Sequence, residues 1–364
     1  MTMNNISELA QLGTSTWLDD LSRQRLESGN LKEIISSKSI VGVTTNPAIF
    51  ATAMTSGTAY DEDLAALKEK NASADEAVYS LAITDVQNAC DLFADIYAES
   101  DGQDGRVSIE VDPRISDDAA ATLKQARELW DQVDRPNAMI KVPATKGSLP
   151  AIEDALAEGI SVNVTLIFSV ARYREVIAAF QAGLKRAAEG GKDVTKIHSV
   201  ASFFVSRLDT EVDKRLEAIG SDEALSLRGK AGVANAQRAY ALFQEELLGD
   251  NNGLPEGAPI QRPLWASTGV KNPDYPATLY VTELAGPHTV NTMPEKTIDA
   301  VLQEGGFHGD TLSTAGEEAE KVFSQLESVG IDLEDVFAVL EREGVDKFVA
   351  AWNDLLDSLK QRLA

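Results

Sequence analysis

Residues 138–150 read Ala-Met-Ile-Lys-Val-Pro-Ala-Thr-Lys-Gly-Ser-Leu-Pro and set a lysine, Lys141, inside an apolar run of the kind that forms a strand buried on both faces. Lysine is almost never fully buried without a partner or a task. The ordinary solution is a strand end from which the ammonium reaches water. The chemical alternative is an amine held neutral by desolvation, able to attack a carbonyl carbon and form a Schiff base. An unperturbed lysine, with a pKa of about 10.4, has roughly one amine in 2,500 unprotonated at pH 7. Lowering that pKa to roughly 7.5 leaves about a quarter reactive and disfavours the ammonium by about 4 kcal/mol. The dry interior of a barrel supplies such desolvation.

Schiff-base chemistry makes further demands. An acid/base must remove the carbinolamine hydroxyl as water, and a base must take a substrate hydroxyl proton when a carbon–carbon bond breaks. Glu110, in the run Arg106-Val-Ser-Ile-Glu-Val-Asp112, and Asp19, closing Thr14-Ser-Thr-Trp-Leu-Asp19, are the candidates. Thr165 could position a water between Glu110 and the amine, and Asn46 and Asn163 could bond substrate hydroxyls. Arg207 offers a fork for a phosphate, to which Ser267 could also donate. Thr44 and Ser202 complete the polar set. Taken singly, each residue is better explained as a cap, a turn former or a solvated side chain. The argument for chemistry is their convergence.

The elements that position them alternate. Strands are expected at 14–19, 40–47, 106–112, around Lys141 within the run 138–150, 159–168, 196–204 and 262–268, with a weaker one at 289–294. Between them fall helical patterns at 20–28, 31–37, 61–70, 74–98, 117–133 with Ser116 as cap, from Ser148, from Ser169 to Gly190-Gly191, 209–219 and 222–248. A polar leader precedes the first strand, 249–263 is an exposed loop, and 311–364 reads as three more helical stretches. No Gly-x-Gly-x-x-Gly follows the first strand. Eight alternations predict a (β/α)8 TIM barrel with additional helices, one domain over residues 1–364, its chemistry at the C-terminal ends of the strands. The residues above fall at that rim, strand after strand.

Composition narrows the function. With 364 residues, 43% of them hydrophobic, the chain can bury a large core. A net charge of -25 argues against nucleic-acid and membrane-surface roles. The three histidines, His198, His288 and His308, lack metal-ligand spacing, so no protein-bound metal is expected. One cysteine, Cys90, allows no intrachain disulfide, and neither a signal peptide nor a membrane-spanning window is read. The expectation is a soluble, cytoplasmic protein acting on small molecules, with a homodimer as a common assembly for such barrels.

Six runs carry a family resemblance: Trp17-Leu-Asp19, Gly42-Val-Thr-Thr-Asn-Pro47, Ser108-Ile-Glu-Val-Asp112, Ile140-Lys-Val-Pro143, Asn163-Val-Thr-Leu-Ile-Phe168 and Ser202-Phe-Phe-Val-Ser-Arg207. In this order, from Thr14 to Pro294, the sequence resembles the transaldolases, in a longer subgroup marked by the insertion at 222–262 and the loop at 270–288. The resemblance implies a class I barrel enzyme without cofactor. Such an enzyme moves a dihydroxyacetone unit from a ketose phosphate to an aldose phosphate in the non-oxidative pentose phosphate pathway. It implies Lys141 as nucleophile, Glu110 with Thr165 activating water, and Asp19 as cleavage base. Thr44, Asn46, Asn163, Ser202 and the aromatic Phe204 would bind the sugar, and Arg207 with Ser267 its phosphate. Many members carry an arginine soon after the seventh-strand serine. Here the run is Ser267-Thr-Gly-Val-Lys271, so the second phosphate contact falls to Lys271, a point charge in place of a fork.

The nearest rival is an aldolase of the fructose-6-phosphate type that releases free dihydroxyacetone. Its relatives typically carry Gln and Tyr where this chain has Glu110 and Phe204. A sugar-phosphate isomerase would not require the amine. An inactive acidic barrel acting as a binding protein would explain the charge but not the rim.

Overall fold

The computed structural model describes residues 4–249 and 252–364. The first three residues of the expected leader, and Asp250 and Asn251 of the expected loop, lie outside the described residues. Eight strands run parallel and close into a barrel: β1 (Thr14–Asp19), β2 (Gly42–Thr44), β3 (Arg106–Glu110), β4 (Ala138–Pro143), β5 (Val162–Ile167), β6 (Ser199–Phe204), β7 (Arg262–Ala266) and β8 (Thr289–Met293). The closing pair sets Thr14 opposite Thr289 and Leu18 opposite Met293. Every residue of β2 to β8 is buried, so apolar residues fall on both faces of these strands.

Alternation reappears when the two faces of each strand are separated. One face packs under the surrounding helices. The other carries Trp17, Met139, Val200, Leu264 and Val290, all buried in one cluster, which plugs the barrel below its mouth. Gly42 is required beside this plug, because a Cβ there would stand 2.7 Å from the Trp17 indole. Two residues further along the same inward face come Asp19, Lys141, Ser202 and Thr292, whereas β7 presents Ala266 there and its serine, Ser267, follows the strand.

Several boundaries differ from expectation for local reasons. The leader contains a helix, Asn5–Gln11, capped by Asn4 and holding Ile6 and Leu9 in the core. β2 is only three residues long, and Asn46 caps the helix Pro47–Thr55 that follows. The helix expected from Asp117 starts at Ala119 with Asp118 as its cap, because Pro113–Ile115 forms a 3-10 turn. A second 3-10 turn at Val194–Lys196 delays β6 to Ser199. The 74–98 helix is two, Ala74–Leu92 and Ala94–Glu99, and the 222–248 helix is broken into Asp222–Leu225 and Ala231–Leu247. Ser169 caps Val170–Glu189 as expected, its hydroxyl accepting from the Arg172 amide at 3.1 Å.

The C-terminal region forms two helices rather than three, Gly316–Ser328 and Leu333–Leu363. The second, of 31 residues, buries Val336, Leu340, Gly344, Phe348, Trp352, Leu355, Leu356 and Leu359, repeats of three and four that keep one stripe inward. It packs between the helix Ser206–Ile219 and the helix Pro47–Thr55 and crosses the C-terminal mouth. Among the described residues no helix is long and apolar enough to cross a membrane.

Candidate active site

A cavity of about 270 Å³ opens at the C-terminal ends of the strands. Lys141, Asp19, Thr44, Asn46, Ser202, Phe204, Arg207, Ser267 and Lys271 all line it. Glu110, Asn163 and Thr165 lie buried beside it, at 4%, 0% and 1% exposure. Strand register accounts for the grouping: Glu110 stands opposite Lys141, and Lys141 opposite Asn163, so all three project inward at one level.

Lys141 is 5% exposed. Its Nζ donates to the Thr45 carbonyl at 2.6 Å and lies 3.6 Å from Glu110 Oε1, a Coulombic contact too long for a hydrogen bond. The Thr45 hydroxyl donates to Glu110 Oε2 at 2.9 Å, so one residue orients both groups. Glu110 Oε1 and Thr165 Oγ1 are both buried without a hydrogen-bond partner. Burial raises the pKa of Glu110, against the opposing pull of Lys141 and the Thr45 hydrogen bond. Asp19 is shifted the same way, burial outweighing Lys141, Thr44 and Arg207. Thr44 donates to Asp19 Oδ1 at 2.7 Å, and its hydroxyl meets that of Thr292 at 2.5 Å.

Asn163, buried beside the cavity, is engaged at both ends. Its Nδ2 donates to Ser108 at 3.0 Å, and its Oδ1 accepts from Ser202 at 2.7 Å. The chain thus fixes the Ser202 hydroxyl from beneath. Asn46 uses Oδ1 to accept from the Ile49 amide at 3.0 Å, which leaves its Nδ2 hydrogens as what it can offer a hydroxyl. β5 is irregular here: pairing with β6 shifts register between Val164 and Ile167, and Leu166 adopts φ 59°, a left-handed conformation rare for its type.

At the opposite wall Arg207 begins the helix Ser206–Ile219, which has no side-chain cap, so its positive end is directed to the mouth. The guanidinium lies 5.1 Å from the centre of the Phe204 ring, and its buried Nη1 has no partner. Ser267, at φ 54°, places its hydroxyl 2.8 Å from that of Ser206. Lys271 is exposed at the cavity's edge.

Sequence reasoning missed Thr45, Thr292 and the wall supplied by the C-terminal helix, where Lys347, Phe348 and Ala351 line the cavity. The two threonines differ in no way from strand-end threonines elsewhere. The helix residues follow an ordinary amphipathic pattern whose outer end no motif marks. A wider cleft of about 770 Å³ shares Asp19 and Asn46 and runs out past Arg25 and Glu295. A cavity of about 480 Å³ lies at the other pole around Arg106, His198 and Arg262. Among the described residues no group of three or more His, Cys, Asp or Glu could hold a metal ion.

These features define a class: (β/α)8 barrels whose C-terminal mouth holds a buried lysine between two carboxylates, with an arginine opposite. The family model of transaldolase/fructose-6-phosphate aldolase matches residues 16–359. Transaldolases of Mycobacterium ulcerans (strain Agy99) and Mycobacterium leprae (strain TN) are each 59% identical over 362 residues, which is 99% of this chain and 97% and 96% of theirs. A transaldolase of Mycolicibacterium paratuberculosis (strain ATCC BAA-968 / K-10) is 58% identical over the same length. The chain belongs to the transaldolase/fructose-6-phosphate aldolase family.

Proposed function

We propose that the chain is a transaldolase, a transferase that passes a dihydroxyacetone unit from sedoheptulose 7-phosphate or fructose 6-phosphate to an aldose phosphate. The acceptor is glyceraldehyde 3-phosphate or erythrose 4-phosphate. The observation that carries the reading is the buried Lys141 Nζ, 3.6 Å from a Glu110 oxygen that has no hydrogen-bond partner.

In this reading the Lys141 amine attacks the ketone carbon, C2, of the donor. Glu110 protonates the carbinolamine hydroxyl, which leaves as water, and a protonated imine remains as the electron sink. A water held between Glu110 Oε1 and Thr165 Oγ1 would pair both orphaned atoms and relay that proton. Asp19 then takes the proton of the C4 hydroxyl, the C3–C4 bond breaks, and its electron pair is held as an enamine on Lys141. The aldose phosphate departs. The enamine attacks the acceptor aldehyde, Asp19 returns the proton to the new alkoxide, and water cleaves the imine. Ser202, braced by Asn163, and Asn46 and Thr44 orient hydroxyls. Phe204 walls the sugar. Arg207, Ser267 and Lys271 take the phosphate, for which the unpaired Nη1 is the supporting feature.

Supplying fructose 6-phosphate with and without erythrose 4-phosphate tests the reading. Turnover should require the acceptor. Release of free dihydroxyacetone at a comparable rate without acceptor would instead assign the chain to the aldolase branch of its family. The same reading places the protein in the cytoplasm, with a homodimer as the assembly to examine by sedimentation. The support for that setting is the match to the transaldolase/fructose-6-phosphate aldolase family over residues 16–359.

A further inference from the structure

The cavity is lined by four cationic side chains, Lys141, Arg207, Lys271 and Lys347, against one carboxylate, Asp19, in a chain whose net charge is -25. Lys141 is committed to the ketone in the reading above. The other three line the same cavity, and of them Lys347 alone is carried by the C-terminal helix Leu333–Leu363.

That helix is held as a fixed wall. Gly344 approaches the Phe168 ring so closely that a Cβ would stand 2.9 Å from it. Phe348 and Trp352 are 7% and 2% exposed. Arg172, itself buried, donates to Glu341 at 3.0 Å, and Arg215 pairs with Asp335 at 2.8 Å. The backbone under Lys347 is therefore set by packing, while its side chain is exposed to solvent. Its partner is Glu343, one turn earlier at 2.7 Å, an exposed pair of the kind that contributes little and exchanges readily. Glu343 also acts electrostatically on Arg207. Without Lys347, Glu343 would lose its ion-pair partner while still acting on Arg207.

We propose that Lys347 is a specificity-determining residue that binds the phosphate dianion of the substrate, making the C-terminal helix part of the phosphate site. A dianion with three acceptor oxygens suits the fork of Arg207 and two point charges, Lys271 and Lys347, on the same cavity. The inference rests on the transaldolase reading for the identity of the anion, but not for its presence.

The test uses the full chain and two readouts. In turnover, Lys347→Ala should raise KM for fructose 6-phosphate about tenfold with kcat within about twofold, and should leave unphosphorylated fructose unaffected as donor. Lys347→Arg should restore most of the loss, and Lys347→Glu should deepen it. In the double variant Lys347→Ala, Glu343→Gln, part of the affinity should return. By calorimetry, Lys347→Ala should weaken binding of inorganic phosphate by a similar factor. Equal effects on both sugars, or unchanged KM together with unchanged phosphate affinity, would overturn the proposal. If the unmodified chain turns over neither sugar, the transaldolase reading fails, and the phosphate titration still decides the role of Lys347.

Discussion

Asp19 and Glu110 are two carboxyls with raised pKa values around one amine, and their roles separate by what each touches. Glu110 faces Lys141 from the buried side, bonded through Thr45, whereas Asp19 lies on the cavity wall and is held by Thr44. Replacing Glu110 by Gln should lower kcat by roughly 10²- to 10⁴-fold, the usual worth of a positioned acid/base, with little change in fold. Near-normal turnover in that variant would remove Glu110 from the mechanism. A base must be ionised to act, so activity should rise with pH through the raised pKa of Asp19, placing the acid limb of the kcat profile above its ordinary value of 3.8. The same shift has a stability consequence of opposite sign. A carboxyl whose folded-state pKa is raised favours folding below its ordinary value, and that contribution is lost as pH rises through the raised value. Asp19→Asn should therefore be nearly inactive yet melt no lower than the unmodified chain at pH 8. A melting point several degrees lower would show that Asp19 serves the fold. Lys141, Glu110 and Asp19 were legible in the sequence because ionisable groups in apolar strands need a reason. Thr45 and Thr292 were not, since a threonine at a strand end has many causes. Asn163 was legible as a rim residue, but only the structure reveals that both ends of its amide are used to brace Ser108 and Ser202.

At the scale of elements, the helix Leu333–Leu363 determines the shape of the mouth through a close contact at Gly344. Gly344→Val adds a branched side chain against Phe168, whose ring lies 5.3 Å from that of Phe204. The overpacking should cost about 1–3 kcal/mol of stability, measured by denaturant unfolding, and should raise KM by displacing Phe204 and the wall above it. Unchanged stability and KM would indicate that the helix moves aside freely and is no fixed part of the site. The strands were readable because a barrel strand needs a run of apolar residues whatever the helices do. Helix boundaries were less so. Breaks such as those around Phe93 and Gly229, and the 3-10 turns at Pro113–Ile115 and Val194–Lys196, depend on what neighbouring elements leave room for. The amphipathic stripe of 333–363 predicted burial, but periodicity cannot tell which part of a stripe faces the barrel wall and which overhangs its mouth.

At the scale of the molecule, an acidic chain presents a cationic mouth, and the substrates of the proposed reaction are anions. The local charge attracts them while the global charge repels them, and salt screens both, the Debye length falling to about 10 Å at 0.1 M. The mouth is the nearer field and should prevail. KM for fructose 6-phosphate should accordingly rise with added sodium chloride while that for unphosphorylated fructose stays flat. A KM that falls with salt would mean that the net charge of -25 governs encounter instead.

Every step above depends on a covalent bond between the Lys141 nitrogen and the donor ketone carbon. Reducing a mixture of the protein and fructose 6-phosphate with borohydride, then digesting it and mapping the adduct by mass spectrometry, examines that bond directly. The three-carbon unit should appear on the peptide that contains Lys141, with loss of activity in proportion to labelling and no adduct in Lys141→Ala. An adduct on another lysine, or none in a sample that is turning over, would contradict the account.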